Sequence, residues 1–404
     1  MKKGLLIIGG GILQERTIFW CKKLNINIYL VDGNNKCYCK TKVKNFYNID
    51  CFDIKRILQI AKKLKKNNKI HGVYTQGADF APTVSYISKK LNFCSVDFNS
   101  AKICKNKFLL RQELTKHNLS DVRYFKIKTL NDLKNKISKI KLPVYLKPLD
   151  NSASRGVIKI NKISEYKSAY NFAIKSCIKE KSLILEEEIK GNELSVDTII
   201  YNKNFYPCGI SERKFLKKNK YAVQYASITP ANLSIKKINE TYSLMQKAAK
   251  ALKIDNSAFK GDLVIDSKDG KIKIIELTPR LSGGFDSQYR KPISYKLDLI
   301  KYTILISLKI KFDPKNLDLK LKKFSSTFSV LFKPGYFKNF YNLKSLKQIK
   351  GIKKYFLLSK KGDKIEELNN CSQRNNFFIC FSKSKKMLYK IHKKINSTLK
   401  VKYL

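Results

Sequence analysis

In GDLVIDSKDGKIKIIELTPRLSGG, residues 261–284, two apolar β-type segments flank the turn signal Lys268-Asp269-Gly270. This spacing predicts a hairpin with a three-residue loop closed by a left-handed Gly270. Such a loop sets Ser267 against Lys271 and puts Asp262 directly opposite Glu276 on one face. Two carboxylates so placed repel unless a cation lies between them. Oxygen-only ligands suit Mg2+, with Mn2+ as a substitute, and Mg2+ is commonly held by one or two carboxylates plus substrate phosphates. A four-residue loop is expected to turn the two acids to opposite faces and destroy the site. Acids are scarce here, 31 Asp+Glu against 84 Lys+Arg, so a pair inside apolar strands stands out.

Two further constellations point to phosphate. In KLPVYLKPLDNSASRGVIKI a strand presents Lys147, and a loop of small residues, Asp150 to Gly156, turns into the next strand. Ser152, Ser154, Arg155 and Gly156 let backbone N–H groups and one guanidinium approach phosphate oxygens. The loop lacks the GK[ST] ending of a P-loop. In SLILEEEIKGNELSVD the connection Glu186, Glu187, Glu188, Ile189 can offer main-chain groups to a purine edge, and Glu193 can accept from ribose hydroxyls.

The composition narrows the class. The 43% apolar content fits a folded chain of two or three domains, not a disordered one. A net charge of +53 raises the alternative of a nucleic-acid or anionic-surface binding protein. Lys outnumbers Arg 75 to 9, however, and the lysines are scattered, which reads as compositional drift with no specific nucleic-acid partner. Ten Cys without C-x-x-C read as reduced thiols in a cytoplasmic protein. With only His71, His117 and His392, neither a His-rich metal site nor a Ser-His-Asp triad is expected. No stretch nears the roughly 18 apolar residues of a membrane span, and the apolar run of MKKGLLIIGGG is too short for a signal peptide.

Strand and helix alternate through the first hundred residues: strands at the GLLIIGG segment, Asn27–Asp32 and 70–75, helices at 14–24, Ile54–Lys66 and 81–91. That pattern predicts a parallel sheet. A helical stretch is expected over 100–117, then short mixed strands and helices of α+β type. Further helices are expected over 239–252, 294–308 and 383–399, with a linker near 308–315. The glycines after the first strand and Asp32 after the second invite a dinucleotide reading, but Gln14 stands where its third glycine belongs.

Taken in this order, the motifs resemble the ATP-grasp superfamily, in its branch of carboxylate–amine ligases that includes D-alanine–D-alanine ligase and carbamoyl phosphate synthetase. The resemblance covers nearly the whole chain. It implies an α/β and α+β multidomain fold: a parallel-sheet pre-ATP-grasp domain over 1–98, a two-lobed ATP-grasp domain over 99–311 with a lid at about 122–185, and a small carboxy-terminal α+β domain over 312–404. It implies ATP and Mg2+, with Lys107 of AKICKNKFLLRQEL and Lys147 on the phosphates. Thr278 stands where Asn is usual as a third metal ligand, and Arg280 falls on the transferring phosphate. Ser282, Gly283, Gly284, Arg290 and Arg213 line the acceptor side. The implied reaction joins a small-molecule carboxylate to an amine through an acyl phosphate, in a chain that forms homodimers in many relatives. A carboxylase or carbamoyl-forming enzyme is the alternative within the same fold.

Overall fold

A computed structural model describes residues 2–216 and 220–404. At its amino end a parallel sheet runs in the order Asn45–Asn48, Asn27–Asp32, Gly4–Ile8, Gly72–Tyr74, with helices Glu15–Lys23, Ile54–Lys66 and Ala81–Lys90. Gly4–Ile8 is buried at every position, as befits a central parallel strand covered on both faces. The Asp32 carboxylate accepts from Gly10 N at 2.6 Å and Asn34 N at 2.7 Å, so it braces the glycine turn. The expected helix over 100–117 is two helices, Phe98–Lys105 and Lys107–Lys116. Asn106 breaks it: its Oδ1 accepts from Phe108 N and Leu109 N, capping the second helix and making Lys107 that helix's first residue.

A small antiparallel sheet follows, ordered Tyr124–Ile127, Leu183–Glu187, Val144–Pro148, Ile158–Ile160. Strand alternation sends Val144 and Leu146 into a core with Leu133, Ala173 and Leu185, beneath helices Leu130–Ile137 and Tyr166–Ile174. Tyr145 and Lys147 take the other face, where Tyr145 is opposite Glu186.

The largest sheet has eight strands, ordered Ile272–Thr278, Ser257–Asp266, Gly191–Tyr201, Asn204–Phe215, Gln224–Thr229, Phe324–Phe328, Asn376–Ser382, Ile352–Leu357. All its neighbours are antiparallel. Helix Ile235–Ala251 covers one face, packing Met245 and Ala248 with Phe259, Leu263 and Leu277. Helix Lys385–Thr398 covers that face farther along, with Leu388 and Ile391 near Phe378 and Cys380. Following the register across the ladder, the opposite face carries Lys260, Asp262, Glu276 and Thr278, then Glu193, Ser195 and Asp197, then Ser211 and Arg213, then Ser227, Thr229, Ser325 and Thr327. Most of these polar side chains are buried.

Three expectations change. The strands Asn204–Phe215 and Gln224–Thr229 escaped the sequence because Pro207, Gly209 and a charged run interrupt the alternation; the ladder slips at Pro207. The helix expected over 294–308 is Lys291–Tyr295 and Leu299–Ser307, divided by Lys296 in the left-handed conformation (φ 54°). The expected linker near 308–315 is packed, with Phe312 stacked on Tyr201 at 4.7 Å and Leu317 buried just after it. The carboxy-terminal stretch is α+β in content, but three of its strands continue the eight-stranded sheet. Strands Gly335–Tyr341, Lys364–Ile365 and Lys400–Tyr403 make a sheet of their own.

Gly191 opens the strand that carries Glu193, Ser195 and Asp197. A Cβ there would lie 1.9 Å from the backbone oxygen of Ile265 in the paired strand. Gly191→Ala is expected to destabilise the fold by about 1–3 kcal/mol, the usual range for overpacking. Denaturant unfolding checks this, and an unchanged midpoint refutes it.

Candidate active site

Asp262 pairs with Glu276, and Lys260 with Thr278, so all four share a face. The route to that register differs from the expected one. The loop has four residues, Ser267 to Gly270, closed by Gly270 N donating to Asp266 O and Asp266 N donating to Lys271 O. The inner pairs are Ile265–Ile272, Val264–Lys273 and Leu263–Ile274. Continued regularly, that ladder would set Asp262 against Ile275. The register slips at Asp262/Leu263 instead, and Ile275 becomes the extra residue of a β-bulge. The three-residue loop is therefore corrected, and so is the rule that a four-residue loop destroys the site.

Asp262 Oδ2 is held by Lys260 and lies 3.2 Å from Arg213 Nη1. Its Oδ1 is buried without a hydrogen-bond partner among the described residues, and so is Thr278 Oγ1. Burial pushes the Asp262 pKa up, but Arg213 and Lys260 outweigh it and keep the carboxyl below its ordinary range. An ionised carboxylate oxygen and a hydroxyl left unpaired among the described residues, with Glu276 across the rung, could hold a hard divalent cation. Among the described residues no three His, Cys, Asp or Glu side chains gather to cage a metal, so its remaining ligands would be substrate oxygens and water.

Lys147 Nζ lies 2.7 Å from Glu186 Oε2, and Arg111 Nη2 lies 3.4 Å from Glu186 Oε1. Arg111 Nη1 also donates to Ile274 O at 2.8 Å, tying the small sheet to the carboxylate hairpin. Glu186 therefore spends its side chain on orienting Lys147. Glu187 accepts from Arg123 N at 3.2 Å, and Glu188 pairs with Lys159 at 2.7 Å, so the connection to Ile189 has its carboxylates engaged. Glu193 pairs with Arg213 at 3.1 Å; burial outweighs the guanidinium and raises its pKa.

Lys107 Nζ reaches across to Asn151 O at 2.5 Å and stands 3.9 Å from Glu276. In the small-residue loop Ala153, Ser154 and Gly156 have positive φ. A Cβ on Gly156 would fall 2.5 Å from Ser176 Cβ and 2.7 Å from Pro148 Cγ, so glycine is required. Arg155 folds onto its own loop, donating to Asn151 Oδ1 at 2.9 Å and Ser152 Oγ at 3.1 Å. The far side of the loop meets the carboxy-terminal segment: Cys371 N donates to Ala153 O at 3.0 Å, and Ser154 Oγ lies 3.7 Å from Cys371 Sγ.

Arg280 is gripped through Nε and Nη2 by Asp79, which lies between strand Gly72–Tyr74 and helix Ala81–Lys90. Burial would raise the Asp79 pKa, but Arg280 and Lys105 hold it well below the carboxylate range. Beyond Arg280, Ser282 donates from N (2.8 Å) and Oγ (2.9 Å) to Asp197 Oδ1. Its side chain anchors the turn. A Cβ on Gly283 would lie 3.1 Å from Gly77 O, so the turn packs close to the amino-terminal domain there, while one on Gly284 (φ +59°) would meet nothing within 4 Å. Arg290 pairs with Asp286 at 3.1 Å, and the buried Lys291 donates to Gly209 O at 2.6 Å while standing 3.9 Å from both Asp197 and Asp286. Asp79, Lys105, Asp197, Lys260, Asp286 and Lys291 were not singled out from the sequence. Period two in Glu193-x-Ser195-x-Asp197 and Lys260-x-Asp262, and the i,i+4 spacing of Asp286 and Arg290, are signals for Asp197, Lys260 and Asp286; Asp79, Lys105 and Lys291 have no local signal.

Residues 140–288, spanning the small-residue loop and the carboxylate hairpin, match the model of the ATP-grasp domain. The chain contains an ATP-grasp domain. D-alanine–D-alanine ligase B of Clostridium perfringens is 24% identical over 285 residues, covering 69% of this chain and 87% of that protein. N5-carboxyaminoimidazole ribonucleotide synthase of Staphylococcus epidermidis is 22% identical over 281 residues, 68% of this chain and 69% of its own. Among solved structures, the L-amino acid ligase from Bacillus licheniformis superimposes with a TM-score of 0.86 at 19% identity, over 100% of this chain and 99% of that one. This ATP-grasp fold carries no helix long and apolar enough to cross a membrane among its described residues.

The Glu186 carboxyl is pushed up by burial, but Lys147 and Arg111 outweigh this and bring its pKa to about 2. The sign follows from the depression: the stabilisation is complete above the ordinary Glu pKa and is lost as pH falls through about 2. Glu186→Gln should cost about 3–5 kcal/mol at neutral pH, as breaking a buried pair does. It should also flatten the acid limb of the stability curve. Unfolding midpoints measured from pH 7 downward test both, and an unaltered acid limb contradicts the pairing.

Proposed function

We propose that this chain is an ATP-dependent ligase that joins a carboxylate to an amine through an acyl phosphate, releasing ADP and phosphate. The observation that carries the reading is the Asp262–Glu276 rung, with Asp262 Oδ1 and the neighbouring Thr278 Oγ1 buried and unpaired among the described residues, together with Lys107, Lys147 and Arg280. Similarity to proteins named as ligases and synthases supports it.

ATP lies between the small sheet and the large one. Its adenine meets main chain of the 186–189 connection, and Glu193 accepts from the ribose. Lys107, Lys147 and the 150–156 loop neutralise the phosphate chain; Glu186 keeps Lys147 extended toward it. Asp262, Glu276 and Thr278 would hold Mg2+, which when bound would neutralise charge on the phosphate chain. A carboxylate on the acceptor side, at the 282–290 turn, attacks the γ-phosphorus. Arg280, prevented from swinging by Asp79, stabilises charge on the transferring group. The amine then displaces phosphate to give the amide. Positioning and electrostatics carry such a reaction, and no histidine base is required.

Calorimetry with Mg2+ and a non-hydrolysable ATP analogue is the direct test. The native chain is expected to bind it in a metal-dependent way, and Asp262→Ala/Glu276→Ala to lose that binding while remaining folded. Absence of binding by the folded native chain would sink the reading. Arg280→Ala should lower kcat by about 10²–10³, the usual loss for a transition-state donor, with ATP affinity changed far less. A loss confined to ATP affinity would remove Arg280 from the transfer step.

A further inference from the structure

On the face of the large sheet turned away from the carboxylates, helix Lys385–Thr398 and the ends of three strands line a cavity of about 390 Å³. That volume falls within the roughly 300–1,000 Å³ of small-molecule pockets. Strand alternation sets Lys214 on this face and its neighbour Arg213 on the polar face, where Arg213 meets Glu193 and Asp262. The sheet thus separates the cavity from the candidate active site. The ladder slips at Lys214/Phe215: Lys214 pairs with Ala226 and Phe215 with Gln224, which leaves Tyr225 as the extra residue of a bulge. Its ring packs on this face and lines the cavity.

The walls are aromatic. The His392 imidazole stacks on Phe328 at 4.4 Å with the planes 7° apart, and Tyr389 meets it edge-on at 6.1 Å. Burial brings the His392 pKa down to about 4, and its Nε2 lies 2.7 Å from Ser326 Oγ, so at neutral pH it offers a ring and no charge. The charge at the rim is cationic. Lys214 and Lys385 share the single carboxylate of Glu212, and Lys393 has no carboxylate within 4.0 Å among the described residues. Ser329, only 1% exposed, also lines the cavity, and its Oγ is buried without a hydrogen-bond partner among the described residues. Leu331 and Tyr389 stay 41% and 43% exposed beside it, which leaves apolar surface for a ligand to cover.

Aromatic walls, ammonium groups in excess of carboxylates and an unpaired hydroxyl are together complementary to a flat ring that bears a negative charge. We propose that this cavity is a second ligand site, for a small aromatic anion. The ring packs among Tyr225, Tyr389 and His392, the carboxylate or phosphate meets Lys393 and Lys214, and Ser329 Oγ hydrogen-bonds the ligand's polar edge. The site is separate from the one assigned to ATP, and its assignment does not rest on the ligase reading.

Calorimetry on the full chain tests it, with 2-naphthoate and 2-naphthyl phosphate as probes, 2-naphthamide as their neutral relative and acetate as an anion without a ring. At least one naphthalene anion is expected to bind about tenfold or more tighter than 2-naphthamide and acetate, as a charged hydrogen bond allows; the tighter of the two anions separates carboxylate from phosphate. Saturating Mg2+ and the non-hydrolysable ATP analogue should leave that affinity unchanged. Lys393→Gln is expected to weaken the anion about fivefold or more, and Tyr389→Ala about threefold or more. Both positions are exposed on the helix, so the variants are expected to fold, which circular dichroism checks. No binding of either anion, equal affinity for acid and amide, displacement by the ATP analogue, or an affinity unmoved by Lys393→Gln or by Tyr389→Ala overturns the proposal.

Discussion

Two carboxylates held across one rung of a hairpin repel each other, and the surroundings of Asp262 and Glu276 serve to make that arrangement tolerable. Lys260 and Arg213 hold one oxygen of Asp262, and Lys107 stands near Glu276. Arg213 is in turn shared with Glu193, and Arg111 links the same hairpin to Glu186 and so to Lys147. The site is a lattice of alternating charge: Arg213 and Lys291 each stand between two carboxylates, and Glu186 and Asp262 each hold two cations. Its location follows from this need: one face of the large sheet is reserved for buried polar side chains, while the other carries the apolar packing that holds the sheet flat against its helices.

Much of that plan can be read from the residues. The period of two in the strands, the small-residue loop and the apolar flanks of Asp262 and Glu276 are local, so they survive in one dimension. What cannot be read locally is compensation. The hairpin has a longer loop than its Lys268-Asp269-Gly270 signal suggests, and a bulge at Ile275 cancels the shift. Neither deviation shows in the sequence, and the pairing of Asp262 with Glu276 is right because two errors of one residue oppose each other. In the same way Asp79 looks like an ordinary surface residue until the fold carries it 201 positions to Arg280. Strands interrupted by Pro207 and Gly209 were hidden for a different reason: packing across the sheet, and not local alternation, keeps them extended.

The large positive charge takes a modest place in this structure. Lysines are spread over the surface, and among the described residues those that are buried, Lys260 and Lys291, stand beside aspartates of the site. Against so much lysine, the few arginines are concentrated where a rigid fork is needed: Arg111 between two sheets, Arg155 inside the loop, Arg280 on Asp79.

The contact between Cys371 and the small-residue loop joins parts of the chain that lie far apart in sequence. Ala153 and Ser154 belong to the small-residue loop after strand Val144–Pro148, and Cys371 belongs to the carboxy-terminal stretch, just ahead of strand Asn376–Ser382. The loop cannot move away from that segment without breaking the hydrogen bond from Cys371 N to Ala153 O. A displacement on either side is therefore felt on the other, through a single backbone hydrogen bond and its neighbouring thiol.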